Sequence, residues 1–234
     1  MKEKVLIIPG NPSAEVIYTN WLKTLENDFK SFDFELLLLP KIDNTFSQLD
    51  HVINYYQEII SKRPSPVIVI GHSIGGYFAS QVFKENPEQL KKLILIFPYF
   101  GHENIAGKLL LKTAQYLTTR PRTMKLLTSL KPFIDRYYAP SSLVNEQELT
   151  DSLRLAKLEK DHFKSLKNQC ISHLGNDRIE FIYTRKDNWC TKKTVDEVSK
   201  IKSTHFLDTI HDFVISPLEM AKMNRFLKES KILE

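Results

Sequence analysis

Gly71-His72-Ser73-Ile74-Gly75-Gly76 is the stretch on which the reading of this chain turns. Before it runs Pro66-Val67-Ile68-Val69-Ile70, a β-branched apolar run that predicts a strand buried on both faces. After it, Tyr77-Phe78-Ala79-Ser80-Gln81-Val82-Phe83-Lys84-Glu85-Asn86 carries apolar residues at helical spacing and stops before Pro87. Strand, glycine-flanked turn and helix are the setting in which a G-x-S-x-G turn lifts a serine hydroxyl clear of a sheet. Such a turn is strained, and its flanks must be almost free of side chains if strand and helix are to approach each other. Three of the chain's seven glycines fall in these six residues, so glycine is concentrated where close approach demands it.

Outward from this stretch the pattern alternates. Upstream, a strand at 4–8 leads into Pro9-Gly10-Asn11-Pro12-Ser13, a run of turn formers. Helical spacing covers 14–29, with Val16, Ile17, Trp21, Leu22 and Leu25 on one face. A strand at 32–39 and a helix at 47–60 follow, the helix striped by Leu49, Val52, Ile53, Tyr56, Ile59 and Ile60. Downstream, 92–97 reads as another buried strand closed by Pro98. Strict alternation of this kind predicts a parallel sheet with helices on both faces.

From 101 to 175 the alternation breaks. Helical patterns run over 105–117, 122–130, 146–158 and 161–172, punctuated by Pro121, Pro132 and Pro140. The sheet resumes with a strand at 178–184, a helix at 191–200, a strand at 204–207 and a last helix at 217–228. The expected fold class is therefore α/β: an α/β-hydrolase fold, a mostly parallel doubly wound sheet with a helical cap insertion. Its core takes residues 1–100 and 176–234, and the cap or lid insertion takes 101–175. Insertions in that position cover a site and select its substrate.

The 234 residues are enough for one such domain with its insertion. At 42% hydrophobic and 26% charged the chain is neither disordered nor fibrous. No apolar run is long enough to span a membrane, and Met1-Lys2-Glu3-Lys4-Val5 opens directly into a strand without a secretory leader. Cys170 and Cys190 form no disulfide framework and lack metal-ligand spacing, which predicts reduced thiols and a cytoplasmic location. Charge is unevenly spread. Lys108, Lys112, Arg120, Arg122, Lys125, Lys131 and Arg136 face only Glu103 and Asp135 between 101 and 140, an excess equal to the whole net charge of +5. With Leu109, Leu110, Leu111, Leu117, Met124, Leu126, Leu127 and Leu130 interleaved, the segment reads either as a surface for anionic lipid or as a cap packing its own leucines.

A serine needs a histidine to take its proton, and the histidine needs a carboxylate to fix its tautomer. In this fold the chain order is serine, acid, histidine. Of seven histidines, His51 and His72 precede Ser73, His102, His162 and His173 belong to the insertion or its edges, and His205 lies in a strand pattern. His211 follows the last strand and precedes the last helix, where a base would hang over the serine. Asp187 is the one carboxylate in the loop after strand 178–184, and Asp208 and Asp212 lie too near the histidine in sequence to orient it from a separate loop. The expected oxyanion donors are the backbone N–H of Ile74 and that of Asn11, since Pro12 has none. No metal cluster, phosphate-binding loop, dinucleotide fingerprint or haem motif accompanies these residues, so no cofactor is implied.

Pro9-Gly10-Asn11-Pro12, Gly71-His72-Ser73-Ile74-Gly75, Asp187-Asn188-Trp189-Cys190 and His211 followed by Glu219-Met220-Ala221 resemble the lipid droplet-associated hydrolases among the α/β-hydrolases. The resemblance runs over nearly the whole chain. It implies a serine esterase or lipase acting on lipid esters, sterol esters among them, peripheral on lipid droplets or membranes, with Ser73, Asp187 and His211 as its triad. The same machinery would also suit a thioesterase or a small-ester esterase. A hydrolase fold kept as a lipid-surface binding protein without turnover is the remaining alternative. Nucleic acid is not an expected partner.

Overall fold

A computed structural model describes residues 2–39, 48–101, 145–165, 172–185, 187 and 189–233. The helices expected at 105–117 and 122–130, and all of the basic segment beyond Gly101, lie outside the described residues. Six strands form one sheet: β1 (Glu3–Ile8), β2 (Phe32–Leu36), β3 (Val67–His72), β4 (Leu90–Ile96), β5 (Ile179–Tyr183) and β6 (Thr204–Phe206). Their order is β2-β1-β3-β4-β5-β6 and every pairing is parallel. The described helices are α1 (Glu15–Asp28), α2 (Leu49–Ser61), α3 (Ile74–Glu85), α4 (Glu146–Ser165), α5 (Lys192–Ser199) and α6 (Pro217–Glu229). This is the α/β-hydrolase sheet that the alternation predicted, and no described strand falls between 101 and 175.

The period of two along each strand sorts the core into two layers. Leu6, Ile8, Val67, Val69, Leu93, Leu95, Ile179, Phe181 and Tyr183 face α2, α3 and α5. Val5, Ile7, Ile68, Ile70, Ile94, Ile96 and Ile182 face α1 and α6. Both faces are covered, which is why the central strands read as continuous apolar runs. On the second layer the indole of Trp21 donates to Asn224 Oδ1 at 2.9 Å, and Asn224 Nδ2 donates to Thr24 Oγ1 and Asp28 Oδ2 at 3.0 and 2.7 Å. One buried amide thus joins α1 to α6. Asn224→Ala should lower unfolding stability by about 2 kcal/mol, because it strands the buried Trp21 N–H as well as removing three bonds. Urea denaturation measures this, and a loss under about 0.5 kcal/mol would contradict the role.

Several boundaries differ from expectation for physical reasons. The strand expected over 32–39 stops at Leu36, because β1 pairs Ile7 with Leu36 and turns away at Pro9 after one more bond, Leu37 N–H to the Ile7 carbonyl. The helix after the serine begins at Ile74 rather than Tyr77, so Gly75 and Gly76 are helical. Helices expected at 146–158 and 161–172 are one helix through Ser165, since nothing between 158 and 161 breaks it. On α1 the buried face is Ile17, Tyr18, Trp21 and Leu25, leaving Val16 about half exposed at 49%. Cys190 is a buried free thiol, and Cys170 lies outside the described residues.

Candidate active site

In a wholly parallel sheet every strand delivers its carboxyl end to the same edge, and functional loops collect there. Four such ends matter: the loop after β1 (Gly10, Asn11), the turn after β3 (Ser73), the loop after β5 (Asp187) and the loop after β6 (His211). Ser73 has φ 55° and ψ −125°, a left-handed backbone that costs a non-glycine residue about 1–3 kcal/mol. Hydrogen bonds hold it there. Ser73 N–H donates to the Ile96 carbonyl at 3.0 Å, and the Ser73 carbonyl accepts from Gly76 and Tyr99 N–H at 2.9 and 3.0 Å. A Cβ on Gly71 would come within 2.7 Å of the Gly75 carbonyl, and one on Gly75 would collide with the Ile8 and Pro9 carbonyls. These two glycines are what let β1, β3 and α3 meet at the turn.

His211 Nε2 lies 2.9 Å from Ser73 Oγ, and His211 Nδ1 lies 2.8 Å from Asp187 Oδ2. Asp187 Oδ1 accepts the N–H groups of Trp189 and Cys190 at 2.8 and 2.9 Å. The carboxylate side chain is 1% exposed. Burial opposes its charge, but His211, its hydrogen bond and the two N–H donors outweigh that and hold Asp187 below the usual carboxylate range. An ionised Asp187 can only accept, so the proton of His211 sits on Nδ1 and Nε2 is free to accept from Ser73 O–H. Burial pulls His211 down, while the charge and hydrogen bond of Asp187 raise it, and the net shift is upward. Asp212 is raised by burial, with His211 opposing, and it makes no hydrogen bond to His211 among the described contacts. Asp208 is exposed.

Gly10 packs so close that a Cβ there would lie 2.8 Å from Ser73 Cβ. Its N–H is already used, donating to Tyr18 Oη at 2.7 Å. The next N–H in this loop is that of Asn11, which has no partner among the described residues, and Ile74 N–H opens α3 with none either. The Asn11 side chain turns the other way and donates to the Ser152 carbonyl and Glu159 Oε1 of α4 at 2.9 and 3.2 Å. α4 also reaches α3, where Tyr77 Oη meets His162 Nε2 at 2.7 Å. Sequence spacing does not reveal Tyr18, Tyr77 or the Asn11 side chain, because each acts through a partner far away in the chain. Among the described residues no group of three His, Cys, Asp or Glu side chains is placed to hold a metal ion.

Fold and site together define an α/β-hydrolase. The chain belongs to the lipid-droplet associated hydrolase family, whose model matches residues 1–134. It is 24% identical over 231 residues to a lipid droplet-associated hydrolase of Dictyostelium discoideum, covering 85% of this chain and 76% of that one. Among solved structures, a peroxisomal α/β-hydrolase of Saccharomyces cerevisiae superposes with TM-score 0.67 at 16% identity, over 100% of this chain and 79% of its own. A haloalkane dehalogenase of Agrobacterium tumefaciens reaches TM-score 0.71 at 11% identity, over 100% and 90%. Likeness at such identities shows the fold alone.

Proposed function

We propose that this hydrolase is a serine esterase that cleaves carboxylic esters of lipids through an acyl-enzyme, with residues 101–175 as its cap. The observation that carries the reading is the continuous chain from Ser73 Oγ to His211 to the buried Asp187 carboxylate. Ser73 Oγ attacks the acyl carbon while His211 Nε2 takes the hydroxyl proton. The new oxyanion is held by the N–H groups of Asn11 and Ile74, the latter aided by the positive end of α3. On collapse the C–O bond breaks, His211 gives its proton to the departing alkoxide, and the acyl group remains on Ser73. Water then attacks the acyl carbon and loses a proton to His211; the bond to Ser73 Oγ breaks, His211 returns that proton to the serine oxygen, and the carboxylic acid is released.

A rapid-mixing experiment with p-nitrophenyl butyrate tests this. One equivalent of p-nitrophenol per chain ahead of steady turnover is expected, and absence of both burst and turnover would sink the reading. The pH dependence has a definite sign. His211 works as a base only when unprotonated, so kcat/KM is full above its pKa and is lost as pH falls through it. Since that pKa is raised, the acid limb should lie above the ordinary histidine value of about 6.5. A limb below that value would mean that another group controls the rate.

The lipid half of the proposal rests on the family and on the basic, leucine-rich stretch at 101–140. Among the described residues no helix is long and apolar enough to cross a membrane, which suits peripheral contact with a droplet or membrane surface. Each basic side chain near an anionic surface is worth about 1 kcal/mol. Reversing Lys108, Lys112, Arg122 and Lys125 to glutamate should therefore weaken co-sedimentation with anionic vesicles by at least about tenfold, with turnover of p-nitrophenyl butyrate kept within about twofold. Binding indifferent to both the reversals and salt would rule out electrostatic docking by this stretch.

A further inference from the structure

His72, the residue before the serine, is 3% exposed and lies outside the proton path from Ser73 to Asp187. Its Nε2 is 3.0 Å from the backbone carbonyl of His211. A carbonyl can only accept, so Nε2 carries the hydrogen and Nδ1 is bare. Nδ1 in turn lies 2.6 Å from Tyr18 Oη, which must therefore donate to it. Tyr18 Oη uses a lone pair to accept the Gly10 N–H at 2.7 Å. Every hydrogen in the chain thus has one direction: Gly10 N–H to Tyr18, Tyr18 O–H to His72, His72 N–H to the His211 carbonyl.

We propose that Tyr18 and His72 are positioning residues that lock the oxyanion loop after β1 and the His211 loop after β6 into one geometry around Ser73. This rests on the serine-esterase reading and adds to it what sets the relative placement of base and oxyanion donors. The two loops share no strand pairing, since β1 and β6 are separated in the sheet by β3, β4 and β5. The chain through His72 bridges that gap. Phe97, Phe213 and His211 pack around the His72 ring with centroids 6.3, 5.3 and 5.3 Å away, so it has little room to tilt. Burial pushes His72 down to about 3, and the positive charge of His211 adds to that, so the ring stays neutral and its hydrogen directions persist across the working range. Holding the Gly10 N–H also denies it to substrate and leaves Asn11 as the loop's donor.

The test uses p-nitrophenyl butyrate kinetics on Tyr18→Phe, His72→Gln, His72→Ala and the double variant Tyr18→Phe/His72→Gln, each checked for native thermal unfolding. Tyr18→Phe should lower kcat by about 10- to 100-fold, the scale of a misplacement near 1 Å, and leave KM within about threefold. A glutamine amide nitrogen can occupy the Nε2 position and keep the bond to the His211 carbonyl, so His72→Gln should retain about tenfold more kcat than His72→Ala. The two bonds belong to one chain, so the double variant should lose no more than the worse single one. Kcat of Tyr18→Phe within about twofold of wild type, or losses that fall on KM, would overturn the proposal. If Tyr18→Phe fails to fold, equal kcat in His72→Gln and His72→Ala overturns it instead. A wild-type chain that neither turns over ester nor labels with a fluorophosphonate would fail the serine-esterase reading first, and this proposal with it.

Discussion

Ser73→Ala is expected to lower ester turnover by about six orders of magnitude, the scale of loss when a nucleophile that acts as one unit with its base is removed. Only one hydroxyl is deleted, and its partner His211 Nε2 keeps access to the site, so the fold should persist with an unfolding temperature close to wild type. Ser73→Gly should match it in inactivity yet unfold at higher denaturant, because glycine at φ 55° relieves about 1–3 kcal/mol of backbone strain. Steady-state kinetics with a soluble ester, together with urea unfolding of all three proteins, reads both effects. Turnover in Ser73→Ala within about tenfold of wild type would exclude the serine mechanism.

Asp187→Asn should be the next most damaging change. Asparagine fits the space, and its Oδ1 can still accept from the Trp189 and Cys190 N–H groups. Its amide NH2 would then face His211 Nδ1 and force the imidazole hydrogen onto Nε2, where it points at Ser73 and cannot accept. A wrong tautomer of this kind costs about four orders of magnitude in kcat. The acid limb of kcat/KM should also move down, since the charge that raises His211 is gone. Asp208→Asn and Asp212→Asn are the comparisons. Asp208 is exposed, and the Asp212 side chain makes no hydrogen bond to His211 among the described residues. If either were as damaging as Asp187→Asn, the acid would be assigned to the wrong loop.

Much of this architecture is legible along the chain because the sheet is buried on both faces. Its central strands are unbroken β-branched runs, such as Val67-Ile68-Val69-Ile70, that surface strands could not tolerate. Glycines at 71, 75 and 76 mark the turn where β3 and α3 approach too closely for side chains. Loop position relative to the last strand and helix suffices to single out His211, which the structure brings to Ser73. The limits are equally physical. Val16 and Tyr18 both fit a helical stripe, and Tyr18 is the buried one because its hydroxyl reaches Gly10 and His72 beneath α1, contacts that spacing along the helix does not show. His72 resembles a spare histidine until Tyr18 and the His211 carbonyl, 54 and 139 residues away in sequence, are seen on its two nitrogens. Where sequence spacing predicts two helices, α4 is continuous, because a change of hydrophobic face is not a break unless a glycine or proline enforces it.

The chemistry of Ser73 is most directly tested by trapping it. Incubation with a fluorophosphonate, digestion and mass spectrometry of the peptides should find one phosphonyl group per chain, on Ser73, and none in Ser73→Ala. Labelling should slow sharply in Asp187→Asn, which keeps the hydroxyl but loses the oriented base. A label on another residue, or none on a folded chain that still hydrolyses esters, would contradict Ser73 as the nucleophile.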